Sequence, residues 1–103
     1  MEAIDTVLSL LAGQTASELS KDTIRRMAIE RGLEIICEAS RHVPDAVKAQ
    51  NVEIDWREMR DFGNVLRHAY HRVDLDRVLK IVTADLPPLR SFVEQVLREE
   101  QTP

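Results

Sequence analysis

The chain predicts an all-α fold, a four- to five-helix up-and-down bundle, in a single domain spanning residues 1–103. Apolar residues recur at spacings of three and four along most of its length, which is the period of a one-sided helix. Aromatic residues make up only 4% of a chain that is 44% hydrophobic, whereas sheets draw on aromatic and β-branched side chains. Three glycines and four prolines leave few breaks. A core of this size is adequate but not generous, and burying more apolar surface against a second copy would add to it. A homodimer is therefore expected.

Each element has its own signals. Ala3, Ile4, Val7, Leu8 and Leu11 predict a first helix of three turns, stopped by Gly13. Gln14 to Ser20 reads as a connection with room for one helical turn. Ser20 or Asp22 caps a second, longest helix, expected to reach about His42. Its buried face is expected to follow Ile24, Met27, Ala28, Ile35, Ala39 and His42, widened by Leu33 and Ile36. Gly32 costs that helix on the order of 1 kcal/mol relative to alanine, which a close helix crossing would explain. Pro44 holds Val43 extended, and Asp45 to Gln50 can form a short turn.

The third long helix opens at Asp55, with Glu58 completing a capping-box variant. Met59, Phe62, Leu66, Ala69 and Val73 are its expected buried stripe, so this helix should continue towards Asp74. Asp74 and Asp76 start a fourth helix on Leu75, Val78, Leu79 and Val82, which Asp85-Leu86-Pro87-Pro88 is expected to break. Proline is tolerated in a first helical turn, so Leu89, Phe92, Val93, Val96 and Leu97 form a last helix.

The formal net charge of −4 repels nucleic acid at long range unless a local patch reverses the field. Residues 57–80 supply such a patch: Arg57, Arg60, Arg67, Arg72, Arg77 and Lys80 outnumber Glu58, Asp61, Asp74 and Asp76. The single cysteine, Cys37, has no partner for an internal disulfide and sits among apolar neighbours, as in a reducing cytoplasm. No stretch approaches the roughly 20 apolar residues of a membrane span. The start Met-Glu-Ala-Ile-Asp lacks a signal peptide's basic residues. A soluble, cytoplasmic protein without a membrane partner is expected.

Between Arg60 and Asp74 the chain concentrates its chemistry. Arg60, Asn64, Arg67, His68 and His71 fall on one helical face, away from the apolar seam. Cleaving RNA without a metal needs a base for the 2′-hydroxyl, an acid for the leaving oxygen and positive donors on the phosphate. Imidazole suits the first two roles and guanidinium the third. Asn64, one turn before His68, can orient the imidazole or donate to a phosphate oxygen. The plainer reading is a solvated basic face. Tyr70 lies about 200° from His68 on an ideal helix, so it either packs inward or marks an unwound end. His68 and His71 could share a metal, but no further ligand stands at helical spacing, so no metal or other cofactor is expected. Glu30, Glu34 and Glu38 either pair with Arg26, Arg31 or Arg41 on their own helix or face the basic helix and hold its arginines.

The stretches Ala28-Ile-Glu-Arg-Gly-Leu-Glu-Ile-Ile-Cys-Glu-Ala39, Ile54-Asp-Trp-Arg-Glu-Met59, Asn64-Val-Leu-Arg-His68-Ala-Tyr70 with Val73-Asp74, and Asp85-Leu-Pro-Pro-Leu89 resemble the HepT-like branch of the HEPN superfamily. The resemblance implies a dimerising bundle in which one motif from each subunit lines a shared cleft, a metal-independent endoribonuclease site acting on RNA. It implies His68 as general base or acid; Asn64 as its orienting partner and Arg60 or Arg67 as phosphate clamp are read from the residues themselves, Arg60 standing eight residues before His68 and Arg67 next to it. It implies a toxin–antitoxin module whose antitoxin, a minimal nucleotidyltransferase, attaches AMP to Tyr70. The family's arginine would fall at position 63, where this chain has Gly63. That departure supports an alternative: a nuclease-inactive HEPN module binding a nucleotide or a protein partner.

Overall fold

The computed structural model describes residues 1–69 and 73–101. The fold is an all-α bundle, built in chain order from α1 (Glu2–Leu11), α2 (Ala16–Lys21), α3 (Thr23–Ser40), α4 (Asp45–Ala49), α5 (Trp56–His68), α6 (Leu75–Lys80) and α7 (Leu86–Gln101). A π-helical turn, Ile81–Asp85, links the last two into one continuous rod.

The N-terminal half follows its local signals. Ile4, Val7 and Leu11 bury one face of α1, and Gly13 takes the left-handed φ of +73° that ends it. Thr15 and Glu18 form a reciprocal capping box at the start of α2, whose Leu19 is buried. Asp22 caps α3 by accepting from the Arg25 N–H, and the Arg25 guanidinium donates to the Leu10 carbonyl at 2.7 Å. The crossing of α1 over α3 explains Gly32: a Cβ there would stand 2.4 Å from Val7 Cγ2.

Three expectations need correction. The buried face of α3 is Ile29, Leu33, Ile36, Cys37 and Ser40, while Ile24, Met27, Ala28, Ile35, Ala39 and His42 face outward. Helix α3 carries apolar residues on two sides, and periodicity alone does not say which side meets α1 and α5. Helix α5 stops at His68 instead of running to Asp74, because Ala69 leaves helical geometry at φ −145°, ψ 43°, and Asp74 caps α6 separately. The Asp85–Pro88 segment does not break the rod. Leu86 N–H reaches back five residues to the Ile81 carbonyl, and this wider turn moves the preceding carbonyls away from two rings that would clash with a regular helix.

The same π turn secures α5. It buries Asp85, 4% exposed, and its Oδ1 accepts the Asp55 N–H at 3.2 Å, while Asp55 accepts the Glu58 N–H at 3.0 Å. Glu58 therefore does not close the capping box itself; its carboxylate pairs with Arg77 at 3.0 Å. Arg77 also lies over the Phe62 ring, and Trp56 meets Phe92 edge to face at 6.1 Å. Met59, Phe62 and Leu66 are buried, each side chain contributing about 1.5–3 kcal/mol of apolar burial. With its N-terminus and core face held, α5 presents a fixed outer face.

Candidate functional site

That outer face carries Arg60, Asn64, Arg67 and His68, all exposed. His68 is the last residue of α5, so its imidazole stands at the C-terminal end of the helix, before the Ala69 cap. Tyr70, His71 and Arg72 lie outside the described residues.

The four candidates do not form one hydrogen-bonded unit. Arg60 Nε contacts its neighbour Asp61 at 3.4 Å. Asn64 Oδ1 accepts from Arg67 Nη2 at 3.4 Å, so the amide engages the arginine, and no hydrogen bond joins it to His68 among the described residues. Arg67 turns across to α3, where Nη2 meets Glu38 Oε2 at 3.2 Å. The same carboxylate oxygen receives Arg41 Nη1 at 3.5 Å, and Glu38 Oε1 stands 3.7 Å from His42 Nε2. The acidic series on α3 thus divides: Glu34 pairs with Arg31 on its own helix at 3.3 Å, while Glu38 also holds the basic helix. Burial pushes the Glu30 carboxyl above its ordinary value, against the opposing pull of Arg26.

Arg31, Glu34, Ile35, Glu38, Ala39 and Arg67 line a groove of about 550 Å³ between α3 and α5. A smaller hollow beside it is lined by Met27, Glu30, Arg31, Glu34 and Leu66. Its lining is part apolar, from Ile35 and Ala39, and part charged, with the Arg31 guanidinium on α3 and that of Arg67 on α5, so an anion docking here can meet a guanidinium from either helix. Arg41, expected only as an ion-pair partner on its own helix, and His42, expected on the buried face, meet Glu38 at the edge of the site. The Glu38, Arg41, His42 spacing at i, i+3 and i+4 was the available signal.

Gly63 has a structural reason. It is buried at the crossing of α5 over α3, where a Cβ would stand 2.8 Å from Cys37 Cβ. A side chain at position 63 would enter the helix crossing. Cys37 itself is fully buried, and burial, reinforced by the negative charges of Asp85 and Glu58, pushes its thiol up to about 12. It takes no part in the groove chemistry.

Comparison with known proteins agrees with this architecture. The profile of the family described as Ribonuclease HepT-like matches residues 1–96. A Thermococcus cleftensis protein named "Probable ribonuclease HepT" is 35% identical over 95 residues, covering 92% of this chain and 86% of that one. A Methanocaldococcus jannaschii protein named "Putative RNase MJ1380" is 31% identical over 96 residues, covering 93% of this chain and 88% of its own length. A third similar protein, from Caldanaerobacter subterraneus subsp. tengcongensis and named "Putative RNase TTE0752", is 23% identical over 101 residues, with coverages of 98% and 90%. No solved structure matches the chain significantly. With the family profile spanning all but the last turn of the bundle, the chain belongs to the Ribonuclease HepT-like family.

Proposed function

We propose that this protein is a metal-independent endoribonuclease working as a homodimer in the cytoplasm, the toxin of a toxin–antitoxin pair. The observation that carries the reading is His68, exposed at the end of α5 and next in sequence to Arg67, which lines the groove, in a chain of a ribonuclease family. An imidazole there takes the proton of a 2′-hydroxyl. The resulting oxygen attacks phosphorus, and the 5′-oxygen leaves with a proton from a second imidazole, yielding a 2′,3′-cyclic phosphate. Arg67, with Arg60 further along the face, offsets the phosphate charge, and Asn64 steadies Arg67.

A second copy supplies the second imidazole in this reading. The outer face of α3 supports it: Ile24 is 85% exposed, Met27 60% and Ile35 45%, a run of large apolar side chains beside the groove. Two such faces brought together would bury that stripe and set the α5 ends of both copies along one cleft. Tyr70, two residues beyond His68, is the proposed acceptor of AMP from a minimal nucleotidyltransferase antitoxin; a bulky anion at that point would repel RNA from the cleft.

Gly63 favours a second reading, a nuclease-inactive module that keeps the fold and binds a nucleotide or a protein partner. One experiment separates the two. Incubated with single-stranded RNA in EDTA, the protein cuts it and leaves cyclic phosphate ends, and His68→Ala abolishes cutting without changing the helical circular dichroism. RNA left intact at large protein excess would reject the nuclease and leave the binding module.

A further inference from the structure

Glu38 gathers more positive charge than it can neutralise. Its Oε2 faces Arg67 of α5 at 3.2 Å and Arg41 of α3 at 3.5 Å, and its Oε1 faces His42 at 3.7 Å. Other groove-side and neighbouring pairs are one to one: Arg31 with Glu34, Arg60 with Asp61, Arg77 with Glu58. Two guanidiniums that touch one oxygen atom stand close enough to share a single tetrahedral anion. A phosphate group brings more oxygens to those donors than a carboxylate does, and guanidinium forks fit it well. Glu38 is about half exposed, so exchanging it for an incoming anion carries little cost in lost ion pairing.

We propose that Arg41 and His42 on α3 form, together with Arg67, a phosphate-binding subsite for RNA that Glu38 fills until the substrate displaces it. The proposal rests on the ribonuclease reading and extends it. The clamp is built across two helices, half of it outside the His68 motif. Arg41 acts on the phosphate directly and His42 widens the donor set. Glu38 is a positioning residue: it keeps both guanidiniums gathered on one side of its carboxylate when no anion is bound, and that carboxylate competes with the phosphate. Loss of a phosphate contact lowers the salt dependence of single-strand binding, whereas loss of a remote charge does not.

The test measures binding of a single-stranded RNA oligonucleotide across a range of salt, on the His68→Ala background so that no RNA is cut. Arg41→Ala should weaken binding about tenfold and reduce the slope of log K against log salt by about 0.7. Glu38→Gln, which keeps the hydrogen-bonding shape without the charge, should tighten binding by about fivefold. Lys21→Ala on α2 removes an equal charge away from the groove and should change neither slope nor affinity appreciably. Arg41→Ala behaving like Lys21→Ala, or Glu38→Gln weakening binding, would overturn the subsite. A titration of the wild-type protein with inorganic phosphate, followed by the side-chain Nε–Hε resonances and set beside its RNA binding and cleavage, separates this proposal from the ribonuclease reading. Arg41 and Arg67 shifting together while RNA is neither bound nor cut would keep the anion site and reject RNA as its ligand. No shift at Arg41 would reject the site itself.

Discussion

Replacing Gly63 by alanine puts the helix crossing to a direct test. The added Cβ would stand 2.8 Å from Cys37 Cβ, and neither atom can rotate away, because a Cβ is fixed by its backbone. Helices α3 and α5 must therefore move apart, at an overpacking cost of about 1–3 kcal/mol. Alanine is the better helix former by about 1 kcal/mol, so the net loss expected is about 1 kcal/mol, with an upper bound near 2. For a domain of this size that lowers the midpoint of thermal unfolding by about 4–8 °C per kcal/mol. The partner mutation separates the steric account from others. Cys37→Ala removes Sγ but keeps the Cβ and should not relieve Gly63→Ala, whereas Cys37→Gly should, leaving a favourable coupling of at least about 0.5 kcal/mol in a double-mutant cycle. Urea unfolding of the four proteins reads these numbers. A Gly63→Ala protein more stable than the wild type, or a cycle with no coupling, would refute the claim that position 63 is closed by its neighbour. Gly63→Arg should fail to fold rather than gain activity, since it would force a guanidinium into an apolar crossing.

The same reasoning extends to other positions. Gly32→Ala should destabilise by a net of up to about 2 kcal/mol in urea titrations, because its Cβ would meet Val7 Cγ2 at 2.4 Å, Val7 is fully buried, and the overpacking cost of about 1–3 kcal/mol is offset in part by alanine's helix preference of about 1 kcal/mol. Cys37, with its thiol pushed up to about 12, should resist a thiol-specific reagent at neutral pH in the folded protein and react fully once denatured; labelling without unfolding would contradict its burial. Asp85 has its carboxyl raised above the ordinary 3.8 chiefly by burial, with Asp55 and Glu58 adding to the effect and the Asp55 N–H and Lys80 opposing it. Above 3.8 the folded state then holds a proton the unfolded state has released, so stability contributed by this group falls as pH rises through the folded value. The stability of the wild type relative to Asp85→Asn should decline over that window, and a difference independent of pH would show that the carboxyl is not perturbed.

The elements whose signals are local were legible in the residues alone. Gly13, the Asp22 and Asp55 caps, and the short turn after Pro44 appear where expected, because each is decided by a few neighbouring atoms. Gly32 was legible as a crossing because glycine inside a long helical pattern asks for a neighbour, and Val7 is that neighbour. Which side of α3 meets the core was not, since both of its faces carry isoleucines and the choice depends on where α1 and α5 lie. The rod through Pro87 and Pro88 was missed for a related reason: the wide turn that accommodates the rings is held by tertiary burial of Asp85 against α5, which no local rule contains. At the site, His68, Asn64, Arg60 and Arg67 could be placed on one face from spacing. The turn of Arg67 towards α3, which joins it to the local Glu38, Arg41 and His42 set, required the packing of two helices.

Mixed dimers test the account most directly. A wild-type chain and a His68→Ala chain carrying different tags can be co-expressed, and the heterodimer isolated and assayed on RNA in EDTA. If the two imidazoles divide the roles of base and acid across one cleft, the heterodimer should cut no faster than the His68→Ala homodimer. A heterodimer that retains half the wild-type rate would mean that each subunit cuts alone, and a protein that stays monomeric at assay concentration would remove the shared cleft altogether.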